Sequence, residues 1–239
     1  MFNGKNVLGL VPARGGSKRL LRKNILSFNG EPLIAWTIRA GLGSVHLDKI
    51  VVSSEDEEIQ EIAVNYSADL VIDRPKELAS DSASSVDVAL HSLDYCADQG
   101  ETFDYLVLMQ PTSPLRESRH IDDAFVLMKE KDARAVVGVC ETEHPMSWMG
   151  KIPSTLSMDR FIERGRLGGD GQFQEGFDYQ INGAIYVIEA SELRQGKTFL
   201  LSRGTYAYVM RREESIDIDT RSQFALAEAL HKSCLSEEL

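Results

Sequence analysis

Val7-Leu-Gly-Leu-Val-Pro-Ala-Arg-Gly-Gly-Ser-Lys-Arg-Leu-Leu-Arg-Lys23 opens on an apolar run and ends in a basic one. The apolar part lacks the polar alternation of a half-exposed strand, so it predicts a strand covered on both faces, as in parallel sheets. It empties into Gly15-Gly16-Ser17, a flexible corner where backbone N–H groups approach phosphate oxygens closely. Five of the ten residues from Arg14 to Lys23 are basic (Arg14, Lys18, Arg19, Arg22, Lys23), in a chain of formal net charge −11. That contrast marks an anion site, the bland alternative being a solvated basic turn. The Gly-x-x-x-x-Gly-Lys-Ser/Thr spacing of a Walker A loop is missing.

Outward from this stretch, short apolar runs alternate with helical patterns. Strands are predicted at 6–12, 48–53, 69–72, 104–109 and 134–140, with helices at 32–43, 55–66, 85–98 and 118–131 between them. This βα rhythm predicts a three-layer α/β/α sandwich around a mostly parallel, Rossmann-like sheet, in one domain spanning 1–239. The rhythm fails from 141 to 181, a stretch with two prolines and Gly165, Gly168, Gly169, Gly171 and Gly176, which reads as an inserted flap. A strand at 183–188, a short helix near 190–195, a strand near 205–210 and a helix at 221–233 complete the chain.

Composition narrows the class of function. Hydrophobic residues at 43% and charged residues at 26% describe an ordinary globular protein. The acidic balance argues against nucleic acid as a partner and favours a small phosphorylated ligand held by one local basic cluster. Cys96, Cys140 and Cys234 lie far apart without zinc-like spacing and read as inert thiols. No apolar run reaches the roughly 18 residues that span a bilayer, and no signal segment is evident, so a cytoplasmic protein without a membrane partner is expected.

Three further segments carry chemistry. Arg74-Pro-Lys-Glu-Leu-Ala-Ser-Asp-Ser-Ala-Ser-Ser85 sets hydroxyls, Ser84 and Ser85 among them, before a helix, where capping and ligand binding are both open. Gln110-Pro-Thr-Ser-Pro-Leu-Arg116 leaves the carboxyl end of a predicted central strand, where open α/β sheets bind ligands, and Gln110 offers a donor and an acceptor, a purely structural turn stiffened by two prolines being the alternative. In Ser215-Ile-Asp-Ile-Asp-Thr220, extended backbone places Asp217 and Asp219 on one side. Paired carboxylates repel unless a cation sits between them, and hard oxygens beside a phosphate suit Mg²⁺. An exposed acidic turn with Asp219 capping the last helix is the alternative.

Together with Asn182-Gly-Ala-Ile-Tyr186, these segments resemble the CMP-sialic acid synthetases, the acylneuraminate cytidylyltransferases, in family order across nearly the whole chain. The resemblance implies an enzyme that joins CTP to a nine-carbon 2-keto sugar acid, sialic acid or a relative such as legionaminic acid, with release of pyrophosphate. It implies catalytic roles for Arg14, Lys18, Lys23, Asp217 and Asp219, the two aspartates holding Mg²⁺. Ser17, Asn24, Arg74, Ser84, Ser85 and Gln110 fall at nucleotide positions, and Tyr179, Gln180 and Asn182 are the candidate sugar contacts. A homodimer is implied through the flap, with Met146, Trp148, Met149, Phe173 and Phe177 as interface anchors or, equally, core residues. The Arg-Gln element that many members carry before the Asn-Gly-Ala-Ile-Tyr segment is absent, though Arg164 and Arg166 lie upstream. A cytidylyltransferase for 3-deoxy-manno-octulosonate and a non-catalytic nucleotide-binding relative are the competing readings.

Overall fold

The computed structural model describes residues 1–80, 82–159 and 177–237. Its sheet is built from β1 (Val7–Pro12), β4 (Lys49–Ser54), β5 (Leu70–Asp73), β6 (Tyr105–Leu108), β7 (Ala135–Glu141), β8 (Tyr179–Glu189) and β9 (Thr205–Val209), in the order β5-β4-β1-β6-β8-β7-β9. A small hairpin, β2 (Ser27–Phe28) with β3 (Glu31–Pro32), stands apart. β1 pairs in parallel with β4 and β6, and β4 with β5. β8 alone runs the other way, antiparallel to both β6 and β7. The sheet is therefore mostly parallel, as the continuous apolar runs require.

Helices cover both faces. β1 alternates its side chains between them: Val7 and Val11 enter one apolar cluster, Leu8 and Leu10 the other. The first cluster takes in residues of α1 (Leu33–Leu42), α2 (Glu57–Asn65) and α4 (Ser118–Glu130). The second takes in α3 (Ser85–Asp98) and α5 (Ala190–Gly196). A third, smaller cluster seats α6 (Arg221–Glu237) against Phe28, Leu33, Leu115 and Ile218.

Chain direction across the sheet reverses at β1, whose neighbours β4 and β6 arrive from opposite sides. Such a switch point opens a crevice outside the carboxyl ends of the strands, because the connections leave in opposite directions. β8 begins earlier than the sequence pattern predicts, since Tyr179, Gln180 and Ile181 pair with Glu141, Cys140 and Val139. The insertion thus narrows to 142–178, tied at its base by Thr142 N–H donating to Asp178 O at 2.8 Å. Arg164, Arg166 and Phe173 lie outside the described residues. Among the described residues no helix is long and apolar enough to cross a membrane, and Cys96 and Cys140 are buried free thiols.

Candidate active site

The basic loop after β1 is fixed from beneath by the turn that follows β4. Gly15 N–H donates to Glu55 Oε1 at 2.9 Å, and a Cβ on Gly15 would stand 2.3 Å from Asp56 Oδ2, so only glycine fits. Arg22, at φ 54, turns away from the crevice and pairs with Asp56 and Glu58. Burial works against the Asp56 charge, but the bond from Arg22 and the Ile59 N–H it caps outweigh this and hold its acid below the usual carboxylate range. Asn24 is buried and donates from Nδ2 to Arg14 O at 2.9 Å, spanning the loop from inside. The other four cations, Arg14, Lys18, Arg19 and Lys23, line a cavity of about 660 Å³ at the switch point.

Facing them are Asp217 and Asp219, which line the same cavity. Their segment is extended: Ile216 and Ile218 turn into the third apolar cluster, and the aspartates point out of it. Ile218 N–H donates to Thr112 O at 2.8 Å, which binds the segment to the turn after β6. Thr220, rather than Asp219, caps α6: its hydroxyl accepts from Gln223 N–H, while Gln223 Oε1 accepts from Thr220 N–H. Asp219 instead pairs with Lys23 at 3.0 Å and with Arg19 across the cavity mouth.

The remaining wall comes from β5, α3 and the turn after β6. Arg74 is 5% exposed; its Nε donates to Ser53 Oγ at 3.1 Å and its Nη2 to Ser53 O. Burial pushes this guanidinium below its ordinary value, partly offset by Glu55. Leu78, Ala83 and Val88 give the wall an apolar strip beside Ser80 and Ser85. Gln110 lies over Gly183, whose φ of +75 and absent Cβ leave room for Gln110 Oε1. Beneath that corner sits Arg116, fully enclosed, donating to Gln110 O at 3.2 Å and Ala184 O at 3.0 Å. Burial pulls its pKa down to about 9.

Arg14, Ser17, Lys18, Lys23, Asn24, Arg74, Ser85, Gln110, Asp217 and Asp219 thus meet around one cavity. Ser84 is engaged elsewhere, accepting from Asp87 N–H at 3.1 Å and donating to Asp87 Oδ2, as a helix cap. Asn182 is buried, its Nδ2 on Ser215 Oγ at 3.0 Å and its Oδ1 accepting from Ala184 N–H. Tyr179 and Gln180 stand on the exposed start of β8, outside the cavity lining. Arg19, Ser80 and Thr112 line the cavity although no individual role was read for them; all three lay inside segments already marked by their chemistry.

A family model described as cytidylyltransferase matches residues 8–151, from β1 into the first part of the insertion. The chain is 34% identical to the CMP-N,N'-diacetyllegionaminic acid synthase of Legionella pneumophila over 231 residues, 94% of this chain and 95% of that one. It belongs to the cytidylyltransferase family, on the CMP-sialic acid synthetase branch. The N-acylneuraminate cytidylyltransferase of Escherichia coli O18:K1:H7 is also 34% identical, over 92% of this chain, which spans about half (51%) of that protein's length. A solved CMP:2-keto-3-deoxy-manno-octonic acid synthetase, complexed with CTP, shares the fold at TM-score 0.71 and 14% identity, over 98% of this chain and 100% of that one.

The matched part of this cytidylyltransferase chain carries the basic loop, Arg74, Ser85 and Gln110, while Asp217 and Asp219 come from beyond it. No cluster of three or more metal-type side chains occurs among the described residues. Two carboxylates are nevertheless what Mg²⁺ asks of a protein when substrate phosphates and water fill its other positions. Asp217 and Asp219 open onto the cavity that the four cations line, so the donor set fits a magnesium ion that arrives with a triphosphate.

Proposed function

We propose that this chain transfers CMP from CTP to the anomeric hydroxyl of a nine-carbon 2-keto sugar acid, N-acylneuraminate or a bacterial relative such as legionaminate. The anomeric hydroxyl gives up its proton to solvent as its oxygen bonds to the α-phosphorus, the bond from that phosphorus to the oxygen bridging it to the β-phosphate breaks, and pyrophosphate leaves with that electron pair. The observation that carries this reading is the single cavity that four loop cations, Arg74 and two aspartates line at the sheet's switch point. Phosphoryl chemistry of this kind needs positioning and charge neutralisation more than covalent help, and the residues supply both.

Arg14, Lys18 and Lys23 hold the triphosphate and neutralise charge building on the departing pyrophosphate. Gln110 and Arg74 face the nucleoside, with Leu78, Ala83 and Val88 against its ring. Entering phosphates compete with Asp219 for Arg19 and Lys23, so ligand binding frees that carboxylate. Mg²⁺ held by Asp217 and Asp219 would offset phosphate charge and lower the hydroxyl pKa.

The inserted segment is the acceptor side of the reading. Tyr179 and Gln180 stand exposed where it re-enters the sheet, and it exposes Met146, Trp148 and Met149, which suit a homodimer contact. The product is an activated sugar for surface polysaccharide, made in the cytoplasm. Pyrophosphate release from CTP and Mg²⁺ is the test, with N-acetylneuraminate, legionaminate, pseudaminate and 3-deoxy-manno-octulosonate offered separately. Release with a nine-carbon acid is expected. Release with the eight-carbon acid alone, or with none, contradicts the reading.

A further inference from the structure

Beside the cavity, but outside its lining, a buried carboxylate draws in two arginines from the surface. Glu214 is 7% exposed and closes the single turn Arg212–Glu214 that follows β9. Its Oε1 accepts from Arg119 Nη2 at 2.5 Å and Arg211 Nη2 at 2.6 Å, and its Oε2 lies 3.4 Å from both Arg211 N and His120 Nε2. His120 is 1% exposed and accepts Glu117 N–H on Nδ1 at 3.0 Å, while its Nε2 lies near Glu214 without a hydrogen bond to it. One carboxylate therefore joins the start of α4 to the turn after β9.

The chain then runs straight into the aspartate segment. Ser215 Oγ donates to Arg211 O at 2.8 Å and accepts from Asn182 Nδ2, so the first residue after Glu214 is held as well. Beyond it the backbone is next anchored at Ile218, on Thr112 O. Asp217 hangs between these two fixed points, and Asp219 follows the second. The stability such a contact adds is limited by the cost of desolvating the carboxylate, while Arg119 and Arg211 themselves stay half exposed and exposed. What it does supply is a unique position for the backbone it joins.

We propose that Glu214 is the positioning residue for the Asp217 and Asp219 pair, setting through Arg119 and His120 where both carboxylates meet the cavity. The inference rests on the magnesium role given to these aspartates above. Groups that orient metal-binding carboxylates typically change metal affinity about 10-fold to 100-fold when removed.

The test is calorimetric binding of CTP with saturating Mg²⁺ and with EDTA, without acceptor, in the wild-type protein, Glu214→Gln and Glu214→Asp. Arg119→Ala is measured beside them, since Arg119 is half exposed and its loss opens no cavity in the core. Glu214→Gln and Arg119→Ala should each lose about 10-fold of the affinity that magnesium adds, with binding in EDTA unchanged and Glu214→Asp partly restoring the gain. A merely structural role lowers the melting temperature and leaves the magnesium gain intact, and that result overturns the proposal. If the wild-type protein shows no magnesium gain, the metal reading of the aspartates falls first and this inference with it.

Discussion

At the scale of single residues, the site is set by partners more than by residue type. Arg19 and Arg22 stand three positions apart in one basic run, yet Arg19 faces the cavity and Arg22 is drawn away by Asp56 and Glu58. Ser84 caps α3 while Ser85 lines the cavity, a distinction hidden in a run of hydroxyls. Asn182 is taken up by Ser215, far along the chain, a contact no local pattern encodes. Asp217 and Asp219 were legible because extended backbone has period two and Ile216 and Ile218, which alternate with them, demand the core. Glu214 makes the sharpest residue-level prediction. Burial would raise its acid, but bonds from Arg211 and Arg119 outweigh this and hold it at about 2, below the ordinary value of about 4.5. A carboxylate so depressed adds stability that is full above about pH 4.5 and lost as pH falls through about 2. The gap in melting temperature between wild type and Glu214→Gln should therefore shrink across that window. A gap that stays constant with pH contradicts the ion-pair assignment.

At the scale of elements, the βα rhythm was readable because the central parallel strands β1, β4 and β6 are buried on both faces and the helices between them carry apolar stripes. The reversed direction of β8 was not readable, since it depends on how the insertion returns the chain to the sheet. Glu141 and Tyr179 are direct partners across the β7–β8 ladder, so the insertion leaves and re-enters the fold at neighbouring points. Replacing 142–178 with an Asn-Gly hairpin turn should leave a cooperatively melting sheet that still binds CTP, because an antiparallel pair needs only two linking residues. Acceptor turnover should be lost, as the segment assigned to the sugar is gone. Loss of CTP binding, measured by calorimetry in a variant that still folds, would show instead that the insertion builds the nucleotide half of the site.

At the scale of the whole molecule, a chain of net charge −11 gathers four loop cations and Arg74 at one end of its sheet. The acidic remainder repels a nucleotide everywhere else, so the field itself guides an anionic ligand to the crevice. Parallel strands bring their carboxyl ends together there, β8 contributes its amino end by running backwards, and α6 is capped by Thr220 so that Asp219 stays on the cavity. The proposed function places CMP transfer between the basic loop and the aspartate pair. Asp217→Asn puts it at risk most directly, because Asp217 is exposed on the cavity and its loss should spare the fold. With CTP, Mg²⁺ and the preferred acid, CMP-sugar formation should fall by about 100-fold while the melting temperature stays at the wild-type value. Wild-type turnover by Asp217→Asn at saturating Mg²⁺ would contradict that placement of the chemistry.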